Sequence, residues 1–259
     1  MIYTCGANVL TRRDLRKIPV PKREDTGSNW KGVQHGVLAD TLVTYVNKIG
    51  LRIAKETWYT NPNQMCLYGA LDIEVGSSEY KLEIGQPAYY SIGVRHDNGG
   101  RFAVSLAMGA RVLVCSNGVF SGDYLLKSRH YSDLDLGKMI EDGVEEWLTE
   151  TPSLDLFIRG LQQTNLDERD VFHLVGEAGD MVNGVENKYG CICWAHLQKV
   201  LKMWKHPVHK EFEPRTAWSL YNCFTEVGKD LSPPHQMRLL KGLRKMNTEI
   251  LQLETLELN

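Results

Sequence analysis

Apolar and polar positions alternate with two different periods along this chain, and the change of period divides it into regions. Residues 35–49 carry apolar side chains at helical spacing and Gly50 interrupts the pattern, which predicts an amphipathic helix. From residue 51 the period shortens to two, and turn-forming residues separate the apolar runs. The pattern therefore predicts a helix followed by strands.

Strands are predicted at 51–60, 64–75, 80–85, 88–96, 101–109 and 110–118. The turn DNGG separates two of them, and there Asn98 and Gly99 would supply the positive φ angles of a tight hairpin. Because short turns rather than crossover helices join the strands, we predict an antiparallel sheet of four to six strands.

Helical periodicity returns near residue 133 and continues to about residue 252. We predict an acidic helix over 133–150 that Ser132 caps and Thr151-Pro152 ends, because a residue before proline is disfavoured in helical backbone. Further helices are predicted near 153–163, 167–181, 191–204, 214–228 and 234–252. The predicted fold class is α+β: a helix, an antiparallel β-sheet of four to six strands, a long helix and a helical C-terminal region.

The same outline divides the chain into three parts. We predict a basic flexible N-terminal arm over 1–30, in which Pro19 and Pro21 break any helix. An α+β core over 31–150 and a helical region over 151–259 follow. An arm of mixed charge is either a solvated tail or a contact for nucleic acid or a neighbouring subunit.

Composition narrows the possible functions. The chain has 259 residues, 42% of them hydrophobic, and a formal net charge of −2, as in ordinary globular proteins. No run approaches the ~18 apolar residues that span a bilayer, and residues 1–17 are too polar for a secretory signal, so we expect a cytoplasmic protein without membrane contact. Nucleic-acid binding would need a local basic patch, because the whole chain carries no attractive field.

A first group of candidate residues surrounds the DNGG turn: Arg95, His96, Asp97, Asn98 and Gly100, with Arg101 and Arg111. Such a rim would hold phosphates or position a substrate, because loops on a rigid sheet commonly carry binding groups. The alternative is a polar turn that only closes a hairpin.

A second group precedes the acidic helix: Lys127, Arg129, His130 and Tyr131. Two cations, an imidazole and an aromatic ring within five residues suit a phosphate and a stacked base. An ordinary solvated loop is the alternative.

Two further groups lie in the helical region. Zinc-type ligands occur at Cys191, Cys193, His196, His206 and His209, but only one residue separates the cysteines, so we predict no metal site. The segment from 194 to 245 interleaves lysines and arginines with Trp194, Trp204 and Trp218, which suits single-stranded nucleic acid. Lysines on a solvated helix face and tryptophans at apolar positions are the alternative there. No phosphate-loop or dinucleotide motif is present, and we predict no cofactor.

Four stretches together resemble a known family: WKGVQHGVLADTL near 30–42, the segment 92–123, SRHY at 128–131 and TAWSLYNCFTEV at 216–227. They resemble an uncharacterised phage and plasmid protein family, a widespread domain of unknown function. The resemblance implies the motif positions His96, Asn98, Arg111, Cys115, Asn117, Arg129, His130, Tyr221, Asn222, Thr225 and Glu226. The chain departs from the family pattern at Tyr131, where the family carries threonine. The element order also resembles the ring-forming single-strand annealing proteins of recombination, an analogy of topology alone.

The function we predict is binding of single-stranded DNA by a phage or plasmid protein, with annealing as a homo-oligomer as an extension. Phosphate and base contacts would come from Arg95, Arg101, Arg111, Lys127, Arg129 and Tyr131. Hydrogen bonds from His96, Asn98, Asn117 and His130 would shape the site. One alternative is an enzyme acting on nucleic acid or nucleotides, with His96, His130 and Asp97 or Asp123 as acid–base groups. A phage counter-defence protein that binds a host protein or a signalling nucleotide is the other.

Overall fold

The fold is organised around one antiparallel sheet. The structure is a computed structural model that describes residues 8–20, 31–74, 88–100, 103–112, 118–128, 134–183, 192–229, 231 and 233–250. Six strands pair in chain order: β1 Asn8–Leu10, β2 Ile53–Thr60, β3 Cys66–Ile73, β4 Ala88–Asp97, β5 Val104–Val112 and β6 Gly118–Ser128. All five pairings are antiparallel, so the predicted α+β class and sheet are confirmed.

The helices flank this sheet in sequence and confirm most of the predicted pattern. They are α1 Arg12–Leu15, α2 His35–Lys48, α3 Leu136–Gln163, α4 Glu168–Asn183, α5 Trp194–Lys205, α6 Ala217–Gly228 and α7 Pro233–Ile250, with a 3-10 turn at Lys210–Phe212. Gly50 adopts a φ of +80° after α2, which is the predicted helix stop. Buried apolar residues from α1 to α7 belong to one continuous core.

Helix α3 continues through Pro152, so the prediction that Thr151-Pro152 ends it was wrong. An interior proline costs ~3 kcal/mol because it removes a hydrogen bond and crowds the preceding turn. Against that cost, Trp147, Leu154 and Ile158 on both sides of the proline are fully buried. Each such side chain contributes ~1.5–3 kcal/mol, so burial of the continuous stripe outweighs the local penalty.

The start of α3 also differs from the prediction. Asp135 caps the helix, with its side chain accepting a hydrogen bond from the Lys138 backbone N–H at 3.0 Å. Ser132, the predicted cap, lies outside the described residues. Since α3 crosses residue 151, the predicted core and helical regions share one helix.

Residues 8–20, the described part of the predicted N-terminal arm, pack against the core. Leu15 in α1 is fully buried, and β1 extends the sheet beside β2. The Arg12 guanidinium binds Glu56 through two bonds of 2.7 and 3.0 Å. Arg16 binds Asp40 in the same way, and this pair lowers the pKa of Asp40. These two arginines hold the arm to the domain and are not free for nucleic acid.

The second strand predicted after the DNGG turn, 110–118, is not one strand: its first residues belong to β5 and its last residue to β6. Residues Arg111 and Val112 complete β5, and β6 begins only at Gly118 and runs to Ser128. The register between the two strands shifts twice near Ala107, which is the mark of β-bulges. Residues 113–117, and the strand predicted at 80–85, lie outside the described part of the chain.

Alternation along the strands gives the sheet two unlike faces. One face carries large apolar side chains such as Trp58, Ile92 and Leu106, and α3 packs there, with Trp147 edge-on to Tyr90. The centre of the other face carries small residues: Ala70, Ser91, Gly93, Ala107 and Gly109. Of these, Ser91, Gly93, Ala107 and Gly109 are buried, so the centre of the second face is closed to solvent.

Glycine suits position 69 because a neighbouring ring occupies the space that a side chain would fill. It pairs with Trp58 across β2 and β3, and a Cβ at residue 69 would overlap the Trp58 ring and come within 2.9 Å of Val94 Cγ1. The indole thus lies across the bare backbone of β3 and fills the core there.

We predict that Gly69→Ala destabilises the fold by about 1–3 kcal/mol, because the added methyl group overpacks a rigid part of the core. Urea unfolding followed by circular dichroism measures the difference. Gly176→Ala in α4 is the matched control, since a Cβ there meets nothing within 4 Å and alanine favours a helix over glycine by up to ~1 kcal/mol. Equal stability of Gly69→Ala and the wild type would contradict this packing.

Candidate functional site

Polar side chains concentrate at one end of the sheet, where β3 begins, β4 ends and α2 starts. His35, Cys66, His96, Asp97 and Asn98 all lie there, and all are buried. We name these five residues the polar junction. Buried polar groups are costly unless they are hydrogen-bonded, so their contacts determine the local geometry.

Asn98 joins the β4–β5 turn to the segment before α2. Its Oδ1 accepts from the Val33 N–H and its Nδ2 donates to the Val33 carbonyl, both at 3.0 Å. The positive φ of the turn falls on Gly100 at +79°, so the prediction that Asn98 and Gly99 supply it was wrong. The buried Asn98 side chain is instead hydrogen-bonded to the Val33 backbone. Gly100 adopts the left-handed conformation, which glycine tolerates without a steric cost.

The two histidines of the junction are in direct contact. His35 Nδ1 lies 2.6 Å from His96 Nε2, and His35 Nε2 lies 2.8 Å from the Gln64 carbonyl oxygen. A carbonyl only accepts, so the proton of the second contact belongs to His35 Nε2. In neutral His35 the Nδ1 atom is then an acceptor, and His96 Nε2 must donate to it. The Gln64 carbonyl thereby sets the tautomers of both rings.

The pair is held away from water. His35 is 1% exposed and His96 0%. Burial lowers the pKa of His35, while the Gln64 carbonyl and the Asp97 charge act in the opposite direction more weakly. His35 therefore favours the neutral form, as its acceptor role at Nδ1 requires.

Asp97 extends the junction to the opposite face of β4. Its Oδ1 accepts from the Gly99 N–H at 2.8 Å and from the Cys66 thiol at 3.3 Å. Cys66 and Cys223 are both buried, and neither forms a disulfide with another described cysteine. At this turn the side chains of His96, Asp97 and Asn98 form hydrogen bonds inside the protein.

Next to the junction, strand register aligns several of the predicted binding residues. Tyr59, Tyr68, Arg95, Ser105 and Lys127 occupy one row across β2 to β6, on the second face of the sheet. Arg95 is half-buried, whereas Ser105 and the two tyrosines, which pack beside Cys66, are buried. We name this the basic row. It brings Arg95 and Lys127, which are 32 positions apart in the sequence, to the same end of the sheet.

Not all of the other predicted binding residues lie at this end of the sheet. Arg111 pairs with Tyr89 near the opposite end of β4, six positions from Arg95, which corresponds to about 20 Å along a strand. The side chains of Arg111, Asp123 and Lys127 are not described. Arg101, Asn117, Arg129, His130 and Tyr131 lie outside the described residues.

Among the described residues, the candidate zinc ligands do not gather around one point. Cys193 caps α5, with its Sγ 3.2 Å from His196 Nδ1, whereas His209 packs edge-on to Phe212. Among the described residues no three His, Cys, Asp or Glu side chains gather as metal ligands. Cys191 is outside that part of the chain.

The family-motif positions on α6, which are Tyr221, Asn222, Thr225 and Glu226, make contacts within the protein. Tyr221 stacks on Trp218 with ring centroids 6.0 Å apart, and the Asn222 amide donates to the Trp218 carbonyl at 2.8 Å. Thr225 donates to the Asn222 carbonyl, and Glu226 pairs with Lys229 at 2.5 Å. These contacts stay within or beside the helix.

Searches of family models, curated proteins and solved structures gave no match to this chain. Within the described residues, none of the helices combines the length and apolar character required to cross a bilayer. The site is therefore interpreted from its own chemistry.

Sequence reasoning missed His35 and Cys66 as members of the site. The sequence pattern places His35 only at the start of an amphipathic helix, and Cys66 only within a predicted strand. The available signal was the stretch VQHG, where a histidine at the beginning of a helix follows a glutamine. That Gln34 side chain in fact caps α2 by accepting from the Val37 N–H at 2.7 Å.

We predict that the free energy of unfolding falls as the pH is lowered below about 6.5. The pKa of His35 is lower in the folded than in the unfolded chain, so the unfolded chain binds more protons in acid and gains relative stability there. One such group contributes a slope of at most about 1.4 kcal/mol per pH unit. Urea midpoints from pH 8 to pH 5 measure it.

The matched variants are His35→Gln, in which part of the slope should disappear, and His173→Gln, which replaces an exposed histidine of α4. An identical slope in wild type and His35→Gln would contradict a neutral, buried imidazole at position 35.

Proposed function

We propose that this chain binds single-stranded DNA through Arg95 and Lys127, the two cations of the basic row, and through the residues that adjoin them. The supporting observation is the register that places Arg95, Ser105 and Lys127 side by side on three adjacent strands. Strands are ~4.8 Å apart, so the Arg95 and Lys127 positions are about 10 Å apart, a spacing that suits two phosphates of one strand. In the sequence, Arg101 precedes β5 by three residues and Arg129 directly follows β6.

The polar junction supports this proposal by fixing the strand that carries Arg95. His96, Asp97 and Asn98 follow Arg95 directly, and each is held by a hydrogen bond to another element. A guanidinium on an immobilised backbone loses less conformational entropy when it binds phosphate. His96 and Asn98 would thus shape the site from within, and Tyr131 would stack on a base.

We further propose a phage or plasmid origin, a host-cytoplasmic location and a homo-oligomeric state. The motif resemblance supports the first. Charge supports the third: with a net charge of −2, one subunit has no overall attraction for DNA, and several subunits along one strand would multiply a weak contact by avidity. Annealing of complementary strands would be a consequence of such an array.

A second candidate function is acid–base catalysis on a nucleotide or nucleic acid, and the His35–His96 contact favours it. A histidine whose tautomer is fixed by a second ring is prepared to move a proton. Its burial argues against this reading, since a substrate must reach the reacting nitrogen. The discriminating test is turnover: an enzyme would cleave or convert DNA or a nucleotide and lose that activity in His96→Asn.

We predict that Lys127→Ala weakens binding to a labelled ~40-nucleotide single strand and lowers its salt dependence. Each lost phosphate contact on a single strand reduces the slope of log K against log salt by about 0.7. Fluorescence anisotropy over a salt series measures both effects. Arg129→Ala should act in the same direction.

Lys48→Ala is the matched control, because it removes an exposed lysine from the end of α2 away from the polar junction. If Lys127→Ala and Arg129→Ala retain the wild-type slope while binding persists, the assignment of the basic row is wrong.

A further inference from the structure

The solvent-facing side of α5 combines an exposed aromatic ring with lysines. Trp194 is 64% exposed, whereas Trp204 and Trp218 are 4% and 3% exposed. The alternative interpretation, in which the tryptophans of this region occupy apolar core positions, holds for the latter two but not for Trp194.

Helical geometry aligns Trp194 with two of the lysines. With 3.6 residues per turn, positions 194, 198, 202 and 205 fall on one side of α5, and the buried Leu197, Val200 and Trp204 fall on the other. The rise of 1.5 Å per residue makes the stripe from Trp194 to Lys205 about 17 Å long.

A second exposed aromatic ring adjoins the far end of this stripe. Lys205 Nζ lies 5.9 Å from the centroid of the Phe172 ring on α4, and Phe172 is 53% exposed. The stripe therefore runs from an indole, past Lys202 and Lys205, to a phenyl ring. We name these four residues the α5 stripe.

The charge of α5 selects the partner. The helix contains Lys199, Lys202 and Lys205 and neither Asp nor Glu. In the described chain no ion pair occupies Lys202 or Lys205, so both are available to an anion. A solvated helix face would carry lysines without exposed rings, and an apolar protein contact would carry rings without lysines. Rings and cations together are what single-stranded nucleic acid binds.

We propose that the α5 stripe is a second contact for a single nucleic-acid strand, in which a base stacks on Trp194 and phosphates contact Lys202 and Lys205. This inference rests on the proposed function and adds a contact that the sheet does not provide. A duplex would bind less well, because its bases are already stacked on one another and offer no free face to the indole.

Intrinsic fluorescence and anisotropy with a ~40-nucleotide poly(dT) strand test the stripe in the full chain. Among the described tryptophans Trp194 alone is exposed, so strand binding should quench emission in the wild type. Trp194→Phe should lose most of the quenching while retaining a ring to stack on. Trp194→Ala should bind about tenfold more weakly, within the range for one stacked base.

Two more variants separate charge from stacking. Lys202→Ala combined with Lys205→Ala should reduce the salt slope by about 1.4, the value for two phosphates on a single strand. Val37→Ala removes an exposed apolar side chain from α2 and should bind as the wild type does.

The outcomes distinguish this inference from the function on which it rests. Wild-type binding that is unaffected by Trp194→Ala and by the double lysine variant overturns the α5 stripe and leaves the basic row standing. No wild-type binding at low salt overturns both. Displacement of the strand by polyglutamate at equal charge would show a site for acidic proteins, and that result also overturns the inference.

Discussion

Each polar group buried at the end of the sheet must find a hydrogen-bond partner, and this requirement determines where α2 meets β4. An unmatched buried donor or acceptor costs about 1–3 kcal/mol. The Asn98 amide meets both backbone groups of Val33, and the His96 ring meets His35 in the first turn of α2. These contacts fix the orientation of the helix over the sheet, and they fix the strand backbone that presents Arg95.

The two faces of the sheet restrict where a partner can bind. The first face is filled by Trp58, Ile92 and Leu106 beneath the helices. The centre of the second face is closed as well, because Ser91 and Ala107 there are buried. Contacts with another molecule are therefore expected at the end of the sheet, where Arg95 is only half-buried, and on the outer helices, where the α5 stripe lies.

Much of the fold was predictable because its signals are local. The spacing of apolar residues and the glycine at position 50 suffice to locate α2. The spacing of apolar residues also locates the C-terminal helices. Strand β6 escaped prediction because GVFSGDYLLKS mixes glycine and polar residues, and bulges against β5 break its alternation. Pro152 caused the opposite error, because it predicts the end of a helix that in fact continues. The burial of Trp147 and Leu154 in the core outweighs the local cost of a proline inside the helix.

The candidate site was predictable only in part, for a physical reason. His96, Asp97 and Asn98 draw attention through their composition at a turn. The contact of His96 with His35 spans 61 positions and leaves no periodic trace in the sequence. The alignment of Arg95 with Lys127 depends on strand register through β5, which the sequence does not specify near a bulge. The sequence identifies the residue types, but only the folded structure shows which of them lie close together.

The most direct test is an anisotropy titration of the wild-type protein with a labelled ~40-nucleotide single strand and with the matching duplex, each over a salt series. The account predicts preference for the single strand and an affinity that falls steeply with salt. Absence of binding to both at low salt, or equal affinity for the two, would contradict it.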